Sequence, residues 1–410
     1  MLVYMVRGLA TSNKYVVASY GVSTLTSRYM YDKTWDVIGE LEMANAWILG
    51  LVCDGCGANR TFINMHTPRS HDSDVVYDTM NLFADRVFYF FSDVSHLLKT
   101  LRNNFYSSGH GPRHTRRLIK NGQDIVWKTI VDLYDSEKNN IVRTAYKLNK
   151  KCVELTQKGK MKVCYAAYVF SDTVDKALGE FNDPSIEETR IFIRKVNEFF
   201  DCLNGCHSQQ GKRKCNANLD AYTFEDDPRF DKLRGFVEYL QDWKNDIRVI
   251  VQRLKVSNED QNKCLLSEDT QIGVEMTVRS FIAATQFMLR HGAKYINARV
   301  FCQDPLEQYF SKQRSHVGGS TNPNEKQFYS TECNLRYVRE HVPFRKSGNT
   351  TEYLEEKREA INAPLKRLQR APPKKKPARR SLAYSNAEAN TRATEGLLLA
   401  IKNVPEPSLK

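Results

Sequence analysis

Apolar and polar positions alternate loosely from Leu2 to Leu9, and Tyr15 to Val22 is dense in β-branched and aromatic residues. Both stretches predict strands, joined by the polar turn Thr11-Ser12-Asn13. From Trp35 to Trp47 the period lengthens, and Val37, Leu41, Ala44 and Trp47 predict a helix. The run Trp47 to Cys53 is short and continuously apolar, which predicts a strand buried on both faces, and it ends in Asp54-Gly55. Gly57-Ala58-Asn59-Arg60 reads as a loop entering a short helix, and residues 66 to 80 are polar and irregular. Arg86 to Phe91 is a second apolar, aromatic run, after which Asp93 can start a helix through Asn103. Ser107 to Arg113 reads as a loop. From Ile125 to about Ala298 the pattern is mainly helical, with segments at Trp127–Tyr134, Phe170–Leu178, Glu187–Leu203 and Phe236–Leu254 and a polar loop at Gln209–Asp220. Ser280–Leu289 and Asp304–Gln313 predict two further helices, and Gly318 to Asn324 is a loop by composition.

A chain of 410 residues predicts two or three domains. With 41% hydrophobic and 11% aromatic residues it can bury sizeable cores, which excludes a wholly disordered protein. Neither a membrane-length apolar run nor a secretion signal is visible, so the expectation is a soluble intracellular chain without a membrane partner. In that setting the ten cysteines read as reduced thiols. Cys53 and Cys56 have metal-type spacing without a second pair, and Cys202, Cys206, His207 and Cys215 could form one zinc site, the alternative being core thiols plus a loop. The net charge of +13 points to polyanion partners. Part of it sits between Lys366 and Arg380, which holds eight basic residues and no acidic one, within a segment poor in large apolar residues from 346 to 410. That cluster reads as a nuclear-import or nucleic-acid patch, or as a solvated basic tail.

Three constellations carry candidate chemistry. Asp54 ends a buried strand before small residues, a common place for a catalytic or metal-binding carboxylate and also for a turn or cap aspartate. In Gln303-Asp304-Pro305-Leu306-Glu307, Asp304 can cap a helix with Pro305 at its first position and Glu307 at capping-box spacing. His96, Lys99 and Asn103 share one face of the helix that follows Asp93.

Together these stretches resemble the P element transposases and their domesticated relatives bearing a THAP-type zinc finger. The matching residues are Val52-Cys53-Asp54-Gly55 with Asn59; Asp93, His96-Leu97-Leu98-Lys99 and Arg102-Asn103; Asn121-Gly122 with Trp127-Lys128; and Lys160 to Val163 with Val169-Phe170-Ser171. Then come Phe200-Asp201 with Leu203-Asn204, Gln303-Asp304 with Leu306-Glu307 and Phe310, and Arg314-Ser315 with Gly318-Gly319 and Asn322-Pro323-Asn324. They follow the family's order over roughly residues 1 to 340.

The resemblance implies an α/β fold, an RNase H-like catalytic core interrupted by a mostly α-helical GTP-binding insertion domain. The expected boundaries are 1–92 for the first part of the core, 93–270 for the insertion, 271–345 for the rest of the core and 346–410 for a basic, disordered tail. It implies cut-and-paste DNA transposition through Mg²⁺ chemistry, with Asp54 and Glu307 as the second aspartate and the glutamate of an Asp-Asp-Glu triad and as metal ligands. It also implies GTP as a cofactor that is not hydrolysed, contacted by Lys99, by Phe200, Asp201 and Asn204 at the guanine, and by Asp304 near the nucleotide and metal. A carboxylate can accept from guanine N1–H and the exocyclic amine together. The alternative for Phe200 to Gly205 is an ordinary glycine-capped helix end. The family's first aspartate lies upstream of the opening hairpin, and Asp32 and Asp36 lie downstream of it. The chain is therefore expected to lack one triad member, the zinc finger and the leucine zipper, and to be inactive alone. Transposon-end and target DNA are the implied partners, with room for a homo-oligomer, and the nucleus is the implied location. The rival expectation is a non-catalytic nuclear protein that retains GTP and DNA binding.

Overall fold

The protein, represented by a computed structural model, is described over residues 1–9, 11, 13–112, 114–254, 258–317, 324–339 and 396–402. Among the described residues eight strands are formed: β1 (Leu2–Gly8), β2 (Lys14–Tyr20), β3 (Trp47–Cys53), β4 (Asp78–Met80), β5 (Val87–Ser92), β6 (Leu118–Lys120), β7 (Gln123–Ile125) and β8 (Gly396–Lys402). Six of them make one mixed sheet in the order β2-β1-β8-β3-β5-β4. β1 is antiparallel to β2 and parallel to β8, while β3 is antiparallel to β8 and parallel to β5.

The sheet is buried on both faces because its strands alternate two apolar sets. Leu2, Tyr4, Val6, Phe88 and Phe90 face one layer, and Val3, Met5, Tyr89 and Phe91 face the other. The first layer is α1 (Ser27–Met43) and α2 (Gly57–Ile63). The second is α3 (Val94–Tyr106) and, much later in the chain, α13. Between these two lie α4 (Lys128–Glu137), α5 (Lys150–Val153), α6 (Gln157–Lys160), α7 (Val163–Val169), α8 (Asp172–Gly179), α9 (Glu187–Cys202), α10 (Gln210–Lys214), α11 (Arg229–Leu254) and α12 (Asn258–Lys263). Then follow α13 (Glu268–Arg290), α14 (Asp304–His316) and α15 (Glu325–Arg339). The helical region has its own aromatic spine, in which Phe105 contacts Phe170 and Phe192, and Phe192 contacts Trp243. α13 returns the chain to the sheet. Its Thr277 hydroxyl bonds both the N–H and the carbonyl of Ser92, and its Ser280 hydroxyl lies 2.6 Å from the Phe90 carbonyl.

Several elements differ from the pattern-based expectation. α1 starts at Ser27, where the Thr26 hydroxyl accepts from the Tyr29 N–H, and it stops at Met43, so Trp47 opens a strand instead of closing a helix. Between the Ser107–Arg113 loop and the helical region lies the β6–β7 hairpin. Its turn residues, Asn121 at φ 49° and Gly122 at φ 75°, are both left-handed, the Asn-Gly chemistry of a tight primed turn. Phe170–Leu178 is not one helix, because α7 ends at Phe170 and α8 starts after Ser171. The loop Gln209–Asp220 contains α10 and a short 3-10 turn, Ala217–Leu219. The expectation of an unstructured tail over 346–410 is corrected at Gly396–Lys402, where the apolar run Leu397 to Ile401 occupies the middle of the sheet. The basic cluster 366–380 and the glycines of the 318–319 motif lie outside the described residues.

Candidate functional site

The parallel strands β3 and β5 end side by side, and Asp54 and Asp93 follow them directly. Asp54 is partly buried. Its Oδ1 accepts from the Asn59 side-chain amide at 2.7 Å and from the Cys56 N–H at 3.2 Å, so this carboxylate also shapes the turn into α2. Asp93 is fully buried and caps α3, its Oδ2 accepting from the His96 N–H at 2.8 Å. Its Oδ1 accepts from the Gln303 N–H at 3.0 Å, and the Gln303 amide donates to the Val52 carbonyl at 3.2 Å. Asp93 and Gln303 thus fasten the start of α14 to the ends of both strands. This is the fold's way of bringing Glu307 to the strand ends from a helix more than 200 residues downstream.

Charge is concentrated here. Burial pushes the Asp93 carboxyl up, helped by the charge of Asp304 and opposed by the Gln303 N–H, Lys99 and the His96 N–H. Burial pulls His96 down and the Lys99 charge adds to it, while Asp93 and Asp54 oppose. Glu307 is pushed up by desolvation first and then by Asp93. It is solvent-exposed, so water screens that push. Lys99, itself buried, acts on Asp93, His96 and Glu307 together.

The capping role expected for Asp304 is not what the structure shows. Gln303 is the cap residue, Asp304 is the first residue of α14, and the Glu307 N–H bonds the Gln303 carbonyl. The Asp304 carboxylate turns to Arg299, whose Nε donates to it at 3.0 Å and whose NH2 group also bonds it. A basic group five residues upstream outcompetes the local cap because both charges are largely buried.

The expected guanine contacts sit at the end of α9. Asp201 Oδ2 accepts from the Asn216 amide at 2.8 Å, and the Asn216 Oδ1 accepts from the Asn218 N–H, which fixes the amide's orientation. Burial raises the Asp201 carboxyl, against the Asn216 bond and the charges of Lys214 and Lys147. Phe200 is partly buried against the main core, and the Asn204 N–H closes the helix end on the Asp201 carbonyl. Lys99 acts in the carboxylate cluster, whereas Lys214, Lys147 and Asp172 act on Asp201. The predicted nucleotide residues therefore form two groups, one at the α9 end and one at the strand ends. Arg299, Asn216, Gln303 and Arg7 join or hold them, and the sequence reading assigned none of these a role. Only Gln303 carried a signal, as part of a motif.

Among the described residues no three His, Cys, Asp or Glu side chains are grouped to hold a metal ion. For zinc, Cys202 is buried, with its thiol pushed up to about 12 by desolvation, and Cys215 is exposed in a left-handed conformation. For Mg²⁺, both oxygens of Asp93 accept from backbone N–H groups and Asp304 pairs with Arg299, while the bonds to Asp54 from Asn59 and Cys56 fall on its Oδ1, which leaves Asp54 and Glu307 as candidates. The described residues do not make up a complete two-metal site.

Residues 95–216 match the family model described as the TNP-like GTP-binding insertion domain. The chain is 23% identical over 336 residues to the Transposable element P transposase of Drosophila melanogaster, covering 79% of this chain and 39% of that protein. Its fold matches a solved structure, the Drosophila P element transposase strand transfer complex, with a TM-score of 0.66 and 21% identity, over 82% of this chain and 69% of that one. The family-model match is confined to residues 95–216, and over most of its length the chain is similar in sequence and in fold to P element transposase, spanning about two fifths of the curated relative it matches.

Proposed function

We propose that this chain is a P element-type DNA transposase polypeptide, with an RNase H-like core, whose helical insertion binds GTP as a cofactor and whose core engages DNA. The observation that carries the reading is the GTP-binding insertion match over 95–216, spliced into the fold between β5 and α13 and followed by α14 with Glu307. The guanine site is assigned to Phe200, Asp201 and Asn204, with Lys99 and Asp304 toward the strand ends. The sequence has no GxxxxGK[ST] loop, which agrees with a nucleotide held outside a P-loop. DNA cleavage and strand transfer are assigned to Asp54 and Glu307. Bound Mg²⁺ would activate the attacking oxygen and stabilise the leaving one.

A second reading is favoured by one observation: among the described residues no three His, Cys, Asp or Glu side chains are grouped to hold a metal ion, where two-metal chemistry needs a fuller set. In that reading the chain is a domesticated, non-catalytic nuclear protein that keeps GTP and DNA binding. Nuclear placement rests in both cases on the basic cluster Lys366 to Arg380.

The test has two stages. GTP and ATP are titrated separately against the full chain, and GTP binding with ATP discrimination is expected. Failure of GTP to bind at millimolar concentration overturns both readings. Labelled duplex is then incubated with chain, GTP and Mg²⁺. Cleavage or joining that Glu307→Gln abolishes supports the transposase, whereas DNA binding without products supports the second reading.

A further inference from the structure

Arg299 bonds both to the segment that follows α9 and to the helix carrying Glu307. Its backbone N–H donates to the Gly205 carbonyl at 3.0 Å, three residues past the end of α9. Its guanidinium holds Asp304, the first residue of α14. Its carbonyl accepts from Arg7 of β1 at 2.9 Å, so the segment is braced on the sheet. A second tie lies nearby: Tyr222 and Ile296 exchange N–H and carbonyl bonds at 2.8 Å, and the Tyr222 hydroxyl donates to the Cys202 carbonyl. Gly205 is the only residue type that fits its place, since a Cβ there would lie 2.7 Å from the Leu219 carbonyl oxygen. The loop is thus tightly seated, and any shift of it is passed to Arg299.

We propose that Arg299 is a positioning residue that couples guanine-nucleotide occupancy at the α9 end to the placement of Asp304 and Glu307. The proposal rests on the guanine site assigned above. Its physical content is a short rigid path from Asn204-Gly205 through one backbone bond and one buried ion pair into the first turn of α14. The alternative path from α9 to α14, through Asp93 and Gln303, touches the sheet and not the nucleotide loop.

Hydrogen exchange of the full chain, followed by mass spectrometry, tests this. With GTP, the wild type should gain protection at residues 199–206 and also at 303–310. Arg299→Gln should keep GTP affinity and the gain at 199–206 but lose the gain at 303–310. A merely structural Arg299 would raise basal exchange of α14 and leave the GTP-dependent increment intact, and that result overturns the proposal. So does a wild type that binds GTP without added protection at 303–310. If GTP does not bind at all, the functional reading falls, and the coupling is decided without ligand. Gly205→Ala, which displaces the loop, should speed exchange at 304–308 roughly tenfold in the wild-type background, the scale of one charge-assisted hydrogen bond, and leave it unchanged in an Arg299→Gln background. Equal effects in both backgrounds overturn the proposal. Should Arg299→Gln fail to fold, Arg299→Lys, which keeps the charge and loses the paired guanidinium donors, takes its place in the same comparisons.

Discussion

Asp201→Asn tests the guanine assignment at the level of single hydrogen bonds. Guanine presents two donors on one edge, N1–H and the exocyclic amine, and the Asp201 carboxylate can accept both. One of its oxygens already accepts from Asn216, whose orientation is locked by Asn218. An amide at position 201 has a single acceptor oxygen facing three donors, so at least one guanine donor loses its partner and the charge is gone from the other bond. Hydrogen bonds to charged groups contribute about 1.5–3 kcal/mol each, and a buried unpaired donor adds a penalty of about 1–3 kcal/mol. Even the low end of both sums to about 2.5 kcal/mol, on the order of 100-fold in affinity. Xanthosine triphosphate keeps N1–H but carries a carbonyl in place of the amine, so the new amide can donate to it while its oxygen accepts N1–H. Calorimetric titration should show GTP weakened roughly 100-fold in the variant, with the xanthine nucleotide now preferred, by the same bookkeeping. Equal GTP affinity in wild type and variant would refute the assignment. So would a loss of GTP binding with no xanthine preference in a variant whose thermal unfolding is unchanged.

Other outcomes follow from the packing and the buried charges. His66 is buried, its Nε2 accepts from the Trp35 indole at 3.0 Å, and burial lowers its pKa below the ordinary value. Between the lowered and ordinary values the unfolded chain binds the proton and the folded chain does not, so stability falls as pH drops through and below about 6.5. Denaturant unfolding of His66→Gln should show an acid slope shallower by up to about 1.4 kcal/mol per pH unit, and an unchanged slope refutes the account. Gly50→Ala places a Cβ 2.4 Å from the Tyr89 carbonyl oxygen, between paired β3 and β5, where backbone cannot give way. A loss of about 3 kcal/mol in unfolding free energy is expected, and a neutral result would mean that the strands are spaced differently. A chain ending at residue 345 lacks β8, leaving β1 and β3 with unpaired inner edges. It should melt at lower temperature and aggregate, and a melting curve equal to that of the full chain would refute the central placement of β8.

Much of the core was legible because its signals are local. β3 is legible with its bounds because a seven-residue apolar run closed by Asp-Gly has few other uses, and Asp93 is legible as a helix start, where its side chain caps α3. What was missed depends on partners distant in sequence. The capping account of Asp304 was sound chemistry for an isolated octapeptide, and Arg299 overrode it only because folding buries the two together. Asn216 gained its role from the turn that seats Gly205 against Leu219, which no spacing rule encodes. The β6–β7 hairpin is the instructive omission. Asn121-Gly122 belongs to the family match, yet its plain physical meaning is two left-handed residues closing a tight turn.

The direction of β8 bears on the chemistry. β3 delivers Asp54 at its C-terminal end, and a neighbour parallel to β3 would bring its own last residue to the same edge of the sheet. β8 runs antiparallel to β3, so the register sets Leu397 beside Cys53 and Lys402 beside Trp47. The strand next to Asp54 therefore enters the site through its first residues, Gly396 and Leu397, neither of which can bind a cation through its side chain.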